Sequence, residues 1–342
     1  MSISAKLEPL SDNNVTMAEK MHDVFNAGYQ KAAAENPERQ NLQEITNWQH
    51  FNFGGSRQNL VNQLKFEDTS KGTNFKSFNE TANAMTNFPL IDTSNGIDFS
   101  RMFYGCSQLN NVSALNLSKC GTLDSAFYNC KALAELPILD IPKCSSLYST
   151  FYNCENLESV SFANAKYMLG NTYQAFANCK KLKTVTGLTQ CSPYDIHGMF
   201  MGCVALEIAP EIDTSGAQAI SYLFSGCTAL KTIPKLSLKN IQNTSYNVSN
   251  AFTNCTALEN ITFEGEIIVS GMTLQYSKLL SKESIISLIN ALSATTTGRK
   301  VTLSKTAVNN AFETSEGAAD GSTSAEWLEL IATKSNWTIS LS

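Results

Sequence analysis

The sequence predicts an α/β repeat solenoid of about eight units of roughly 24 residues, with a helical segment before it and a small α/β cap after it. Three observations lead there. A Phe-x-x-Cys signature recurs at Phe103/Cys106, Phe127/Cys130, Phe151/Cys154, Phe176/Cys179, Phe200/Cys203, Phe224/Cys227 and Phe252/Cys255, with successive cysteines 24, 24, 25, 24, 24 and 28 residues apart. Apolar residues follow each cysteine at plus three and plus six, from Leu109 and Val112 to Leu258 and Ile261. Turn residues close the unit: Pro137, Pro210 and Pro234, and Asp-Thr-Ser runs at Asp68, Asp92 and Asp213. A unit this short cannot bury its own apolar face, so neighbours must stack and share one core.

Taken in order, residues 1–55 form an N-terminal attachment or capping segment. Met17, Met21, Val24, Phe25 and Gly28 line one side of a helix within residues 13–35, with Pro37 just past its end. The aromatic stretch from Trp48 to Phe53, followed by Gly54 and Gly55, is expected to plug the first open layer. The solenoid runs over residues 56–266. Its register reaches back before the first cysteine, because Ala82, Met85, Phe88 and Asp92 stand 24 places ahead of later equivalents, and Gln58, Val61, Leu64 and Asp68 one step earlier.

Each unit combines a turn-like arm, suggested by apolar steps of three, with a short strand such as Val160-Ser161-Phe162 or Ile261-Thr262-Phe263. The prolines are expected to bend the chain out of its strand. The Asp-Thr-Ser runs lack the alternating carboxylates of a calcium loop and read as turns. Neighbouring units should lie about 5 Å apart through strand pairing.

Residues 267–342 are expected to cap the far end. Ser281 opens a helix through Leu292 with Glu283 in its first turn, and Val301 and Leu303 suggest a strand. A loop from Glu313 to Ser324 precedes a helix over residues 325–333 and a last strand from Trp337 to Leu341.

The ladder cysteines occupy one equivalent inward position and read as small buried thiols, since parallel Cβ vectors from equivalent sites suit a disulfide poorly. Cys120, Cys144 and Cys191 sit off that ladder and are expected to be partly exposed. Zinc finds no ligand set, because paired C-x-x-C spacing is absent and His22, His50 and His197 belong to no cluster. No cofactor is implied.

Charged residues make up only 16% of the chain, so its 33 Asn, 37 Ser and 30 Thr must supply most of the surface. A net charge of −5 leaves no basic stripe for nucleic acid. No apolar run is long enough to span a membrane, and the N-terminus lacks the core of a secretory signal. Synthesis in a cytoplasm agrees with free thiols. No nucleophile, base and acid recur together and no phosphate-binding glycine loop appears, so the chain does not read as an enzyme.

The Phe-x-x-Cys-x-x-Leu-x-x-Ile/Val unit, with its proline and Asp-Thr-Ser turns, resembles the BspA-like leucine-rich repeats of bacterial surface proteins and of phage or prophage structural proteins. The flanks extend the resemblance. Ala18-Glu19-Lys20 to Ala27-Gly28-Tyr29 with the Trp48 segment is similar to the start of phage tail-associated proteins carrying these repeats. Leu280-Ser281-Lys282-Glu283-Ser284 and Ala332-Thr333-Lys334-Ser335-Asn336-Trp337-Thr338 are similar to their C-terminal tail, except that Ser335-Asn336 stands where Lys-Gly usually precedes the Trp-Thr pair.

The resemblance implies a leucine-rich-repeat-like stack in a virion, as a tail-fibre or receptor-binding component made in the host cytoplasm. Its partners would be a host cell-surface protein or glycan, and other virion proteins through residues 1–55. A trimer or other closed homo-oligomer through residues 1–50 is the expected assembly. Two alternatives stay open: a bacterial BspA-like adhesin, and a decoration protein that binds only virion neighbours. The candidate binding residues are Tyr104, Tyr128 and Tyr152, one row two places before the ladder cysteine, which continues as Ala177, Met201, Ser225 and Thr253. Such rings could stack on sugars or a protein, or could simply cover neighbouring units.

Overall fold

The structure is a computed structural model, and it describes residues 73–77, 86, 92–112, 115–166, 170–241, 245–312 and 321–342. The N-terminal attachment segment, its helix and plug, and most of the solenoid before Asp92 lie outside the described residues.

Each Phe-x-x-Cys unit folds as an arm of successive turns whose amides alternate in direction. In the third unit, Tyr152 and Cys154 N–H close turns onto the Ser149 and Phe151 carbonyls at 3.2 and 3.0 Å. Ser149, Phe151 and Asn153 N–H reach the next unit instead, meeting the Tyr173, Ala175 and Ala177 carbonyls at 2.8 Å each. The apolar steps of three therefore come from stacked turns and not from a 3-10 helix.

Such an arm needs left-handed residues at two places. One lies just before the cysteine and is always Gly or Asn: Gly105, Asn129, Asn153, Asn178, Gly202, Gly226 and Asn254. These are the residue types that enter that region most readily. The other lies four places earlier and takes Arg101, Ser125, Ser149, Gln174, Gly198, Tyr222 or Asn250, with φ between 49° and 59°. A non-glycine residue there costs about 1–2 kcal/mol. Burial of one phenylalanine per unit contributes about 1.5–3 kcal/mol and so offsets that strain.

Inside the arms, Phe103, Phe127, Phe151, Phe176, Phe200, Phe224 and Phe252 stack in one column. Their centroids lie 5.2–5.7 Å apart until the last step, which widens to 6.5 Å across the 28-residue spacing. Beside this column runs the thiol ladder. The Sγ of Cys130, Cys154, Cys179, Cys203, Cys227 and Cys255 each donates to the carbonyl of the preceding unit's phenylalanine at 3.0–3.1 Å. The Phe151 carbonyl, for instance, accepts both Cys154 N–H and the Cys179 thiol. All ten cysteines are free and buried.

Cys120, Cys144 and Cys191 are also fully buried, which corrects the expectation of partial exposure. They form a second inward column at the turn after the strand. Their amides bond to Leu117, Ile141 and Leu188 carbonyls just as Ala217 and Ile241 bond to Thr214 and Leu238 in other units. The position takes an apolar side chain of varied size, from Gly96 and Ala217 to Ile241, and a buried thiol serves there as one of them.

The strands form parallel ladders. β1 (Leu139–Asp140), β2 (Ser159–Ala163) and β3 (Thr184–Thr186) make one sheet, and β4 (Thr232–Ser237) pairs with β5 (Asn260–Glu264) in another. Equivalent residues face each other, as Val160 with Val185 and Ile233 with Ile261. Pro137 and Pro210 lie outside the strands as expected, but Pro234 lies within β4, where the register shifts between Ile233 and Leu236. Proline lacks the N–H a regular ladder needs, so the strand bulges instead of ending. The two Asp-Thr-Ser runs among the described residues are turns: Asp92 and Asp213 accept from Ser94 and Ser215 N–H at 2.8 and 2.9 Å, while the run at Asp68 lies outside the described residues.

The cap comprises β6 (Met272–Leu274), α1 (Lys282–Ala291), β7 (Arg299–Leu303), α2 (Lys305–Ala311), α3 (Ala325–Ala332) and β8 (Trp337–Leu341), with a parallel sheet in the order β6-β7-β8. α1, β7, α3 and β8 lie where the sequence pattern predicts them, whereas β6 and α2 are too short to show a period. α1 seals the last rung through hydroxyls. Ser284 Oγ accepts Ile261 N–H and Ser287 Oγ accepts Phe263 N–H, each at 2.9 Å, so the outer donors of β5 are satisfied.

Lys334 Nζ bonds to the Asn290 and Leu292 carbonyls at the end of α1, while Trp337 Nε1 donates to the Ser293 carbonyl at 2.9 Å. Asn336 Nδ2 donates to the Ser293 and Thr296 carbonyls. Asn336 thus ties β8 to the loop after α1.

Ser284→Ala should lower stability by about 1–3 kcal/mol, because it strands the buried Ile261 N–H. Urea unfolding followed by circular dichroism measures the loss, and an unchanged midpoint would remove the hydroxyl seal. The ladder thiols give a second expectation. Burial pushes Cys130, Cys154, Cys179, Cys203 and Cys227 well above the ordinary thiol value, aided by their ladder neighbours, and Cys255 up to about 12. A folded pKa above the unfolded one gives stability that is complete below the unfolded value near 8.5 and falls as pH climbs through and beyond it. Melting temperature should therefore decline steadily above about pH 8.5, and the decline should be shallower when Cys179 and Cys203 are both replaced by Ala.

Candidate functional site

The outward side of the arms carries side chains from the places six, five and two residues before the cysteine, while the two residues between the last two of these turn inward. In the third unit the outward two are Tyr148 and Tyr152, flanking the buried Ser149, Thr150 and Phe151. The sequence-predicted row, Tyr104, Tyr128 and Tyr152, lies here and is half-buried. Its rings stack on one another, with centroids 4.6 and 4.7 Å apart and planes within 8°. The Arg101 guanidinium lies 3.9 Å over the free face of Tyr104.

This stacking changes what the row can do. Both faces of Tyr128 are occupied, and Tyr104 is covered by a ring on one side and a cation on the other. Binding by face-on stacking, as the sequence reading imagined, is closed along most of the strip. What remains outward is a line of ring edges and phenolic hydroxyls, apolar and hydrogen-bonding at once.

A second row, which the sequence reading did not single out, starts where the first ends. Tyr148 stacks on Tyr173 at 5.2 Å, Tyr173 on His197 at 4.9 Å, and His197 tilts against Tyr222 at 5.5 Å. The signal was present: Tyr148, Tyr173 and His197 each stand six places before a ladder cysteine. It was hidden because the row mixes residue types, so that no single letter repeats at the place six before the cysteine. Tyr222 is one place out of register and reaches the row through its left-handed backbone.

The rows adjoin. Burial raises the Tyr128 hydroxyl above its ordinary value, and the phenols of Tyr152, Tyr104 and Tyr148 add to the shift. Burial lowers the His197 pKa, against the opposing pull of Asp195, so the imidazole favours its neutral form. Asp195 Oδ1 accepts His197 N–H at 3.0 Å and fixes that turn.

Amides and charges border the strip. Asn153 Nδ2 donates to Asn129 Oδ1 at 2.9 Å in the row beside the tyrosines. One place after the cysteine, Glu155 pairs with Lys131 at 3.3 Å and Lys180 at 2.7 Å. Four places after it, Glu158 pairs with Lys183 and Glu207 with Lys231. The Lys180 hydrogen bond and charge hold the Glu155 carboxyl below the usual carboxylate range. Exposed pairs like these contribute little stability, but unlike charges one unit apart favour the correct register. Among the described residues no group of three or more His, Cys, Asp or Glu is placed to hold a metal ion.

Ultraviolet titration at the tyrosinate band tests the strip's electrostatics. One phenol should ionise later than the ordinary value near 10, and replacing Tyr104 and Tyr152 by Phe should bring it part of the way back. Loss of the late phase only on Tyr128→Phe would assign it to that ring.

A family model described as a BspA type leucine rich repeat region matches the chain in six copies, over residues 40–145, 73–207 and 148–281. Among solved structures, the chain is similar to a leucine rich cell surface protein of Faecalibacterium prausnitzii A2-165, at 17% identity and a TM-score of 0.17, over 53% of this chain and 77% of that one. No curated protein matches it. The repeat model spans the whole column of arms and strands described above, and the chain belongs to the BspA-type leucine-rich repeat family.

Proposed function

We propose that this is a binding protein without catalytic activity, whose outer-arm aromatic strip engages a host cell-surface protein or glycan, and that it serves as a tail-fibre or other receptor-binding part of a phage virion. The observation that carries the binding reading is the strip itself. Two rows of polar aromatic side chains cover the outer arms from Tyr104 to Tyr222, while the core beneath is already filled by the phenylalanine column. Core packing alone needs no outward phenols, and tyrosine is enriched where one side of a ring is dry and the other wet.

The virion setting is supported by the likeness of both flanks to phage tail-associated proteins. In that setting residues 1–55 would attach to other virion proteins and assemble the protein as a closed homo-oligomer, with no role for nucleic acid or membrane insertion. A bacterial surface adhesin would use the strip in the same way, and membership of the BspA-type family is the observation that favours that second reading.

Because the rings stack on each other, alanine replacements would also cost stability, so phenylalanine is the sharper probe. Changing Tyr104, Tyr128 and Tyr152 together to Phe keeps the stack and removes three hydroxyls. Retention of purified protein on host cells should fall by about tenfold or more, on the scale of one to three lost hydrogen bonds, with the thermal melt nearly unchanged. Unaltered retention would remove the strip from the binding surface. Retention on isolated virions but not on cells would favour a decoration protein over a receptor binder.

A further inference from the structure

The hydroxyls of Tyr104, Tyr128 and Tyr152 bond to nothing among the described residues, although stacking holds each ring in place. Beside them, one place further along each arm, runs the left-handed row of Gly105, Asn129 and Asn153. Asn153 Nδ2 donates to Asn129 Oδ1, which leaves Asn129 Nδ2 as a donor and Asn153 Oδ1 as an acceptor with no partner among the described residues. Two adjacent rows thus carry spare, neutral hydrogen-bonding capacity, and the tyrosine row repeats at 4.6–4.7 Å. The charges one place past the cysteine are already matched, Glu155 with Lys131 and Lys180. Half-buried polar groups that the chain does not answer are answered by solvent or by a ligand.

The repeat discriminates between extended chains laid along the strip. Alternate residues of a β-strand, those facing one side, recur at about 6.4–6.8 Å, so a peptide falls out of step by about 2 Å at each rung. A nucleic-acid strand carries a charge at every nucleotide and meets no basic stripe here. A pyranose chain joined through equatorial bonds at C1 and C4 advances one ring per residue, a little more than one rung. It stays in step across three units when its middle ring is centred on Tyr128. Because the tyrosine faces are closed, its rim of equatorial hydroxyls meets the phenols edge-on.

We propose that Tyr104, Tyr128, Tyr152, Asn129 and Asn153 form a subsite for a neutral β-1,4-linked glycan of N-acetylated hexosamines, running from unit to unit. The inference rests on the binding reading above and narrows its ligand to one class. The amide row supplies the preference for N-acetyl groups. Successive rings of such a chain are turned over, so acetamido groups on one side recur at every second ring, and the two asparagines span two units. The acetamido carbonyl accepts from Asn129 Nδ2 and its N–H donates to Asn153 Oδ1, while ring hydroxyls pair with the phenols.

Isothermal titration calorimetry of the full chain with soluble hexamers tests this. The β-1,4-linked hexamer of N-acetylglucosamine should bind, and cellohexaose, with the same linkage but no acetamido groups, should bind about tenfold more weakly. Maltohexaose, whose α-1,4 linkages curl the chain away from the rung repeat, should not bind. Changing Tyr104, Tyr128 and Tyr152 to Phe should weaken the N-acetylated hexamer by about tenfold or more. Combining Asn129→Gly with Asn153→Gly keeps the left-handed backbone, as Gly105 and Gly202 do in their units, and should bring that hexamer down to the level of cellohexaose. Thermal melts confirm that both variants fold. No binding of the N-acetylated hexamer, equal binding of maltohexaose, or affinity indifferent to the tyrosine hydroxyls overturns the proposal. Host-cell retention that needs those hydroxyls, without binding of the hexamer, overturns the glycan assignment alone. Hexamer binding without such retention upholds the subsite and removes the host-attachment reading.

Discussion

The alternating direction of the arm amides is the constraint on which the rest of the molecule depends. Half of them close turns within a unit and half reach the next, so equivalent atoms repeat at the spacing of hydrogen-bonded backbones. Any side chain at a given place then meets its own kind one unit away. A column must consist of groups that tolerate such neighbours: flat rings that stack with an offset, thiols that donate to the carbonyl below, amides that pair as Asn153 does with Asn129, or charges that alternate in sign. Like charges in register would repel, which is why the lysine and glutamate rows alternate.

The ladder cysteine satisfies two demands at once. Its place is dry and shallow, and its neighbour offers a carbonyl with one lone pair still free after the turn bond to Cys154 or its equivalents. Serine would also donate, but an aliphatic-walled site charges a hydroxyl more for desolvation than a thiol. Valine would fill the space but leave that second lone pair unanswered. The thiol is therefore the residue that matches both the volume and the lone pair, without forming a disulfide.

Much of this was legible in the sequence because stacking forces repetition onto it. The Phe-x-x-Cys spacing exposed the unit, the apolar steps after it exposed the inward face, and Ser281 with Glu283 exposed α1. What stayed hidden were features whose repetition is of conformation and not of residue type. The left-handed place before the cysteine alternates between Gly and Asn, the one four earlier accepts Arg101, Gln174 or Tyr222, and the second inward column mixes cysteine with alanine and isoleucine. Cys120 and Cys144 looked like strays only because that column does not repeat one letter. The tyrosine row was visible by its letter, but its ring-on-ring stacking was not, since spacing along a chain says nothing of how side chains lean.

That leaning decides what kind of recognition the surface can perform. An isolated tyrosine offers a face, and a sugar ring can lie on it. A tyrosine stacked at 4.6–4.7 Å between two others offers only an edge and a hydroxyl, held in place by its neighbours. The same packing that removes the face also removes rotamer freedom, so little further entropy is lost when a partner arrives. A rigid row of hydroxyls at the repeat distance of backbone hydrogen bonding suits a partner with groups at a similar spacing. The regularity that holds the core together is thereby carried, unit by unit, to the outer surface of the arms.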